Sequence, residues 1–158
     1  MADPVNEMTS GDDALAIAAE TVEMIVERES ATLGDLRAVL GNLRESVEPL
    51  SWSPAWPDAF EPLRTYADLR LSISLQWPEL GFYDEDTHHP GITEFTEDIG
   101  DGIDDLADLV DDLRGALVLA ETDVQGANSW LSFHACSHWG DHVDHLIQHL
   151  DMLLSVQP

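Results

Sequence analysis

The sequence predicts an all-α fold, an up-and-down bundle of about five helices, and three observations carry that prediction. Apolar residues recur at three- and four-residue spacing over long runs, caps and prolines punctuate those runs, and no segment alternates convincingly as a strand. Short connections between amphipathic helices favour antiparallel neighbours. At 158 residues and 44% hydrophobic, the chain supports one domain with its own core. Residues 1–11 are expected as a flexible N-terminus and 12–155 as a single helical domain.

Asp12 and Asp13 are placed to cap a first helix reaching about Glu29, with Leu15, Ala18, Val22 and Ile25 on one face. Glu20, Glu23 and Glu27 occupy the other. Thr32, with Asp35 three residues later, opens a second helix in which Leu33, Leu36, Leu40, Leu43 and Val47 align before Pro49 ends it. The prolines and tryptophans of Leu50-Ser-Trp-Ser-Pro-Ala-Trp-Pro57 read as an ordered connection, Trp52 and Trp56 plugging one end of the core. A third helix is expected from Asp58 to about Gln76, tolerating Pro62 in its first turn and burying Phe60, Leu63, Tyr66, Leu69 and Ile73. Trp77-Pro78 then starts a long connection through Gly81 to Pro90-Gly91, with Asp84, Glu85, Asp86, His88 and His89 clustered in it. The fourth helix is expected from about Thr93 to Ala120, bent near its start by Gly100 and Gly102. Its apolar stripe is Phe95, Ile99, Ile103, Leu106, Val110, Leu113 and Leu117. The fifth, from about Val124 to Leu154, turns Trp139, Val143, Leu146, Leu150 and Leu153 to the core.

The formal charge is −26, from 32 acidic residues against six arginines and no lysine. Like-charge repulsion disfavours a nucleic-acid backbone or an anionic membrane as partner. Cys136 is the only cysteine, which excludes an intrachain disulfide or a thiolate metal cluster and fits a reducing compartment. The first residues carry no basic region followed by an apolar run, and no apolar stretch approaches the ~20 residues that span a bilayer. A soluble cytoplasmic protein is expected.

His134, His138, His142, His145 and His149 follow a four-four-three-four spacing that brings them to one side of a single helix. Imidazole binds transition metals and titrates near neutrality, so this stripe is the strongest chemical lead in the chain. Pairs four residues apart, such as His138 and His142, can meet one divalent ion, but further ligands must come from a neighbouring carboxylate. Glu94, Glu97, Asp98, Asp101, Asp104, Asp105, Asp108, Asp111 and Asp112 offer them along the fourth helix, although a solvated acidic face is the plainer reading of that series. None of the expected helices carries the inward-pointing Glu-x-x-His motif of di-iron bundles. Glu97 to Gly102 fails as a calcium loop because Ile99 falls at a ligand position. Phosphate-binding glycine loops, nucleophile elbows and HExxH are absent. Cys136 falls on the apolar side of the wheel and reads as a buried structural thiol, and the five tryptophans read as core filling.

Two stretches carry a family resemblance. Asp104-Asp-Leu-Ala-Asp-Leu-Val-Asp-Asp-Leu-Arg-Gly-Ala-Leu117 is followed by Trp130, Phe133, His138-Trp139-Gly140 and His142, with Trp77-Pro78-Glu79-Leu80 before them. In order and spacing these resemble the bacterial family called domain of unknown function number five thousand and sixty-three, over roughly the C-terminal half. The resemblance implies a small helical domain and no reaction, and it singles out His138, Trp139, Gly140 and His142 rather than the whole stripe. Gly140 inside a helix costs roughly 1 kcal/mol relative to alanine, which a close helix crossing would explain. Trp130, Phe133 and the His-Trp-Gly turn would then lock against Leu106, Leu109 and Leu113, with Asp104, Asp105 and Asp108 receiving hydrogen bonds from His138 or His142.

The expected function is that of an interaction module without catalytic turnover, holding a protein partner that is basic. One alternative is a metalloprotein with His138, His142 and Asp108 as ligands to a divalent transition metal. The other is an acidic nucleic-acid mimic that inhibits a basic protein.

Overall fold

Thr32 caps its helix as the sequence predicts: its hydroxyl accepts from the Asp35 amide at 3.1 Å, and the Asp35 carboxylate accepts from the Thr32 amide at 2.9 Å. This box opens the second of the helices in a computed structural model that describes residues 10–50 and 66–156. The elements are α1 (Ser10–Val26), α2 (Leu33–Val47), α3 (Tyr66–Gln76), β1 (Phe82–Asp84), β2 (Ile99–Asp101), α4 (Gly102–Ala120), α5 (Val124–His134) and α6 (Gly140–Val156). A single π-helical turn, Ala135–Trp139, joins α5 to α6, so the expected fifth helix is one rod from Val124 to Val156 with a wide turn inside it. The fold is an all-α bundle with one small hairpin. The expected Trp52 and Trp56 plug, the start of the third helix with Phe60, Pro62 and Leu63, and most of the N-terminal segment lie outside the described residues.

α1 packs on α2 and α4, α2 on α6, α3 on α4, and α4 on α5, with a shared core between them. α1 begins at Ser10, so Asp12 and Asp13 sit in its first turn rather than before it. Its buried line is Ala14, Ala18, Thr21 and Ile25, with Leu15 and Val22 at the margin. α2 buries the five predicted residues and Val39. LSISL is helical within α3, which buries Leu69 and Ile73. Trp77 is fully buried: its indole donates to the Ile25 carbonyl at 2.9 Å, and the Arg28 guanidinium lies 4.1 Å from its ring centre.

The stretch expected to begin the fourth helix differs. Residues 93–98 form a turn and irregular chain, and Ile99–Asp101 pairs antiparallel with Phe82–Asp84, Tyr83 facing Gly100. The helix starts at Gly102 because the Asp101 side chain accepts from the amides of Ile103 and Asp104, which makes Asp101 its cap. Helical spacing linked Phe95 and Ile99 to Ile103, but Phe95 is 83% exposed and takes no part in the core. Gly100 does not bend a helix; it lets the Tyr83 ring lie against the backbone, where a methyl group would overlap the ring.

Gly100→Ala should therefore cost about 1–3 kcal/mol in denaturant unfolding, the range for forced overpacking. Gly81 has nothing within 4 Å of the position a methyl would take, so Gly81→Ala should stay within about 0.5 kcal/mol. Equal losses at both glycines would show that Tyr83 is not held on Gly100.

Candidate functional site

One turn of α4 after its Asp101 cap, Asp105 begins a line of carboxylates with Asp108 and Asp112 that shares a face at helical spacing. That face does not point to water. Asp105, Asp111 and Asp112 are buried, which corrects the reading of the series as a continuous solvated surface. Opposite Asp105 and Asp112, the rod from α5 to α6 presents His134, His138 and His142. His138 Nδ1 meets Asp112 at 2.6 Å, and its Nε2 lies 3.8 Å from Asp108. His142 Nδ1 lies 3.2 Å from Asp105, and His134 Nδ1 lies 3.9 Å from Asp112. The seam is an interhelical Asp–His lock of the expected kind, with Asp112 as a partner that the expected set lacked. Its spacing from Asp105 and Asp108 was the available signal.

Asp104 sits at the outer margin, half-buried, and forms no ion pair with these histidines. Burial, then the neighbouring Asp105, pushes its carboxyl up from the ordinary range. Asp108 is pushed up for the same first reason, with Asp104 adding to it. His142 moves up because its hydrogen bond to Asp105 outweighs burial.

Around the seam, Trp130 donates to the Asp112 carbonyl at 3.0 Å and lies so close to Gly115 that an added methyl would stand 3.1 Å from its ring. His134 packs on the Trp130 ring at 4.2 Å between centres, and Phe133 meets His134 edge-on at 5.1 Å. Leu106, Leu109 and Leu113 are fully buried beneath, as is Trp139. The expected crossing helix at Gly140 is replaced by a different constraint. A methyl there would strike the Ala135 carbonyl, to which the Gly140 amide donates across the π turn. That turn also shifts the phase of the rod and leaves Cys136 exposed, correcting its placement in the core.

His88, His145 and His149 form a second group that the sequence does not reveal. Tyr83 donates to Asp105 at 2.7 Å, on the oxygen not facing His142, and stacks on His149 at 4.5 Å between ring centres. His149 is buried and donates from Nδ1 to the His88 carbonyl at 2.7 Å. His88, at φ 63°, shares a hydrogen bond with His145 at 3.1 Å. Burial is the main cause holding both His149 and His88 below the ordinary imidazole value. No local pattern around Tyr83 announces this role, because it depends on the hairpin.

Among the described residues no three His, Cys, Asp or Glu side chains are grouped to hold a metal ion. His138, His142 and Asp108 are neighbours, but each imidazole spends a nitrogen on a carboxylate of α4. No helix among the described residues is long and apolar enough to cross a membrane.

No family model matches the chain, and no curated protein matches it. A crystal structure of protein BF1032 from Bacteroides fragilis is similar in fold, with a TM-score of 0.73 at 16% identity over 95% of each chain. At that identity the likeness extends to the architecture alone.

His142 and His149 titrate in opposite senses. His142 faces Asp105 and Asp108 from α4 and Glu85 beyond β1, and its raised value gives stability that is complete below about 6.5 and lost as pH rises through the folded value. His149, facing His88 and His89 from the connection and Asp105 from α4, has a lowered value, so its contribution is complete above about 6.5 and declines as pH falls towards the folded value. Melting curves at low salt should show His142→Gln flattening the decline between pH 7 and pH 8, and His149→Gln flattening the decline between pH 6.5 and pH 5.5. Identical pH profiles for both variants and the parent would refute the opposed assignment.

Proposed function

We propose that this protein is an interaction module that holds a cationic protein partner and performs no turnover. One observation carries the reading: among the described residues, four of the six arginines are paired within the fold. Arg28 pairs with Glu79 at 2.6 Å, Arg37 with Asp151 at 2.9 Å, Arg44 with Asp144 at 2.8 Å, and Arg70 with Asp101. With 32 acidic residues in the chain, most carboxylates have no arginine to meet and project a negative field. Such a field attracts basic proteins and repels nucleic acids and anionic lipids. A surface that normally binds nucleic acid is one class of basic partner, and mimicry of that ligand is included in this reading. A cytoplasmic setting and the likeness to the bacterial family named above are consistent with it, and neither specifies an activity.

A second reading, divalent metal binding, draws on one feature. His138 and His142 are each oriented through Nδ1 by a buried carboxylate, the arrangement by which carboxylates orient metal-ligating imidazoles. Asp108 is the nearest additional ligand.

Affinity purification at low salt should recover a basic partner that dissociates as ionic strength rises. Where that partner also binds DNA, DNA should compete with the protein for it. A partner retained unchanged through high salt would contradict the electrostatic reading. For the metal reading, untagged protein should contain stoichiometric zinc, iron or manganese, and adding the ion should raise the melting temperature. Absence of both effects removes it.

A further inference from the structure

The β1–β2 hairpin has two unlike faces. Tyr83 and Gly100 form the inner one, against the histidines of α6. Phe82, Asp84, Ile99 and Asp101 form the outer one, because side chains alternate along a strand. Phe82 is 58% exposed and Ile99 49% exposed, and their diagonal relation in this register sets them about 7–8 Å apart. The connection between the strands adds Phe95, exposed on a turn that is itself ordered. The Thr96 amide donates to the Thr93 carbonyl at 3.1 Å, and the Phe95 amide donates to the Thr93 hydroxyl at 3.2 Å. These large apolar side chains stand in water on a segment anchored to α6 through the His88 carbonyl.

The charge around them selects the occupant. Residues 82–101 contain seven carboxylates, Asp84, Glu85, Asp86, Glu94, Glu97, Asp98 and Asp101, and no arginine or lysine. Asp101 is paired with Arg70, while no arginine pair reaches the other six among the described residues. A second copy of the chain would bring the same sign of charge to this surface, and a lipid or nucleic-acid phosphate would do likewise.

We infer that the outer face of the hairpin, centred on Phe82 and Ile99 and continued by Phe95 on the connection between the strands, docks a segment of a foreign protein carrying both arginine or lysine and apolar side chains. This rests on the interaction reading above and assigns it a place. Apolar contacts supply the affinity, and the acidic rim supplies orientation and rate of encounter.

The test uses the full chain and two short synthetic peptides, one alternating arginine with leucine and one with serine in place of leucine. The arginine–leucine peptide should bind more tightly and slow amide hydrogen exchange within residues 82–101. Phe82→Ser combined with Phe95→Ser should weaken it by about tenfold, in line with lost apolar burial. Both side chains are exposed, and an unchanged melting temperature verifies that the variant folds. Glu94→Gln, Glu97→Gln and Asp98→Asn together should slow association and flatten its salt dependence, while Glu20→Gln, Glu23→Gln and Glu27→Gln on α1 should do neither. Equal binding of both peptides, or undiminished binding by the phenylalanine variant, would overturn the docking face and leave the interaction reading standing. Failure of both peptides to bind at low salt would overturn both.

Discussion

Asp105 is the group on which the rest of this structure depends. It is buried in the first turn of α4 and accepts from Tyr83 on one oxygen while His142 approaches the other. A carboxylate withdrawn from water is tolerated only when its lone pairs are met, and here the two partners come from the hairpin and from α6. One side chain thus ties three elements that are far apart in sequence. Tyr83 can reach it because Gly100 leaves room for the ring, and α4 presents it because Asp101 starts the helix where it does.

Around that point the protein solves the problem of its own charge in an uncommon way. Six arginines and no lysine stand against 32 acidic residues, and the described arginine pairs are on Glu79, Asp101, Asp144 and Asp151. Histidines face the buried Asp105 and Asp112. An imidazole donates to a carboxylate whether neutral or charged, so the Asp112–His138 and Asp105–His142 contacts need not carry a permanent ion pair into a low-dielectric interior. Where the facing groups are instead a carbonyl and another imidazole, as at His149 and His88, burial favours the neutral ring.

The helices were legible where strong local signals agreed with tertiary packing. Thr32 with Asp35, Pro49 and Trp77-Pro78 mark boundaries that the structure keeps, and the apolar spacing of α2 is its buried face. Legibility failed where two local rules competed. Phe95 and Ile99 continue the helical period of Ile103, but Asp101 is a cap, and only the pairing of Ile99–Asp101 with Phe82–Asp84 decides for the cap. The π turn hid a second feature. A helical wheel assumes constant phase, so it placed Cys136 inward and gave no separate role to His149, while the wide turn exposes the first and the hairpin covers the second. Of the candidate site, the resemblance singled out His138 and His142 and led to α4 carboxylates as their partners, Asp105 among them, while Asp112 was not in that set. Tyr83 and His88 were not legible, because their part depends on contacts far apart in sequence.

The same competition explains why one hairpin both closes the interior and opens a surface. Strand alternation gives the segment two faces, and the inner one is committed: Tyr83 must lie on Gly100 to reach Asp105, and the His88 carbonyl must stay with His149. Those constraints fix the backbone, and a fixed backbone of period two leaves Phe82 and Ile99 no way to turn inward. Their exposure is therefore a geometric consequence of the buried network. Polar residues at these positions would satisfy the same geometry without exposing apolar surface, so the folding of the inner face does not account for the choice of Phe82 and Ile99, or for Phe95 on the neighbouring turn. The proposed docking segment would account for it from the outer face, beside carboxylates that no arginine pair reaches among the described residues.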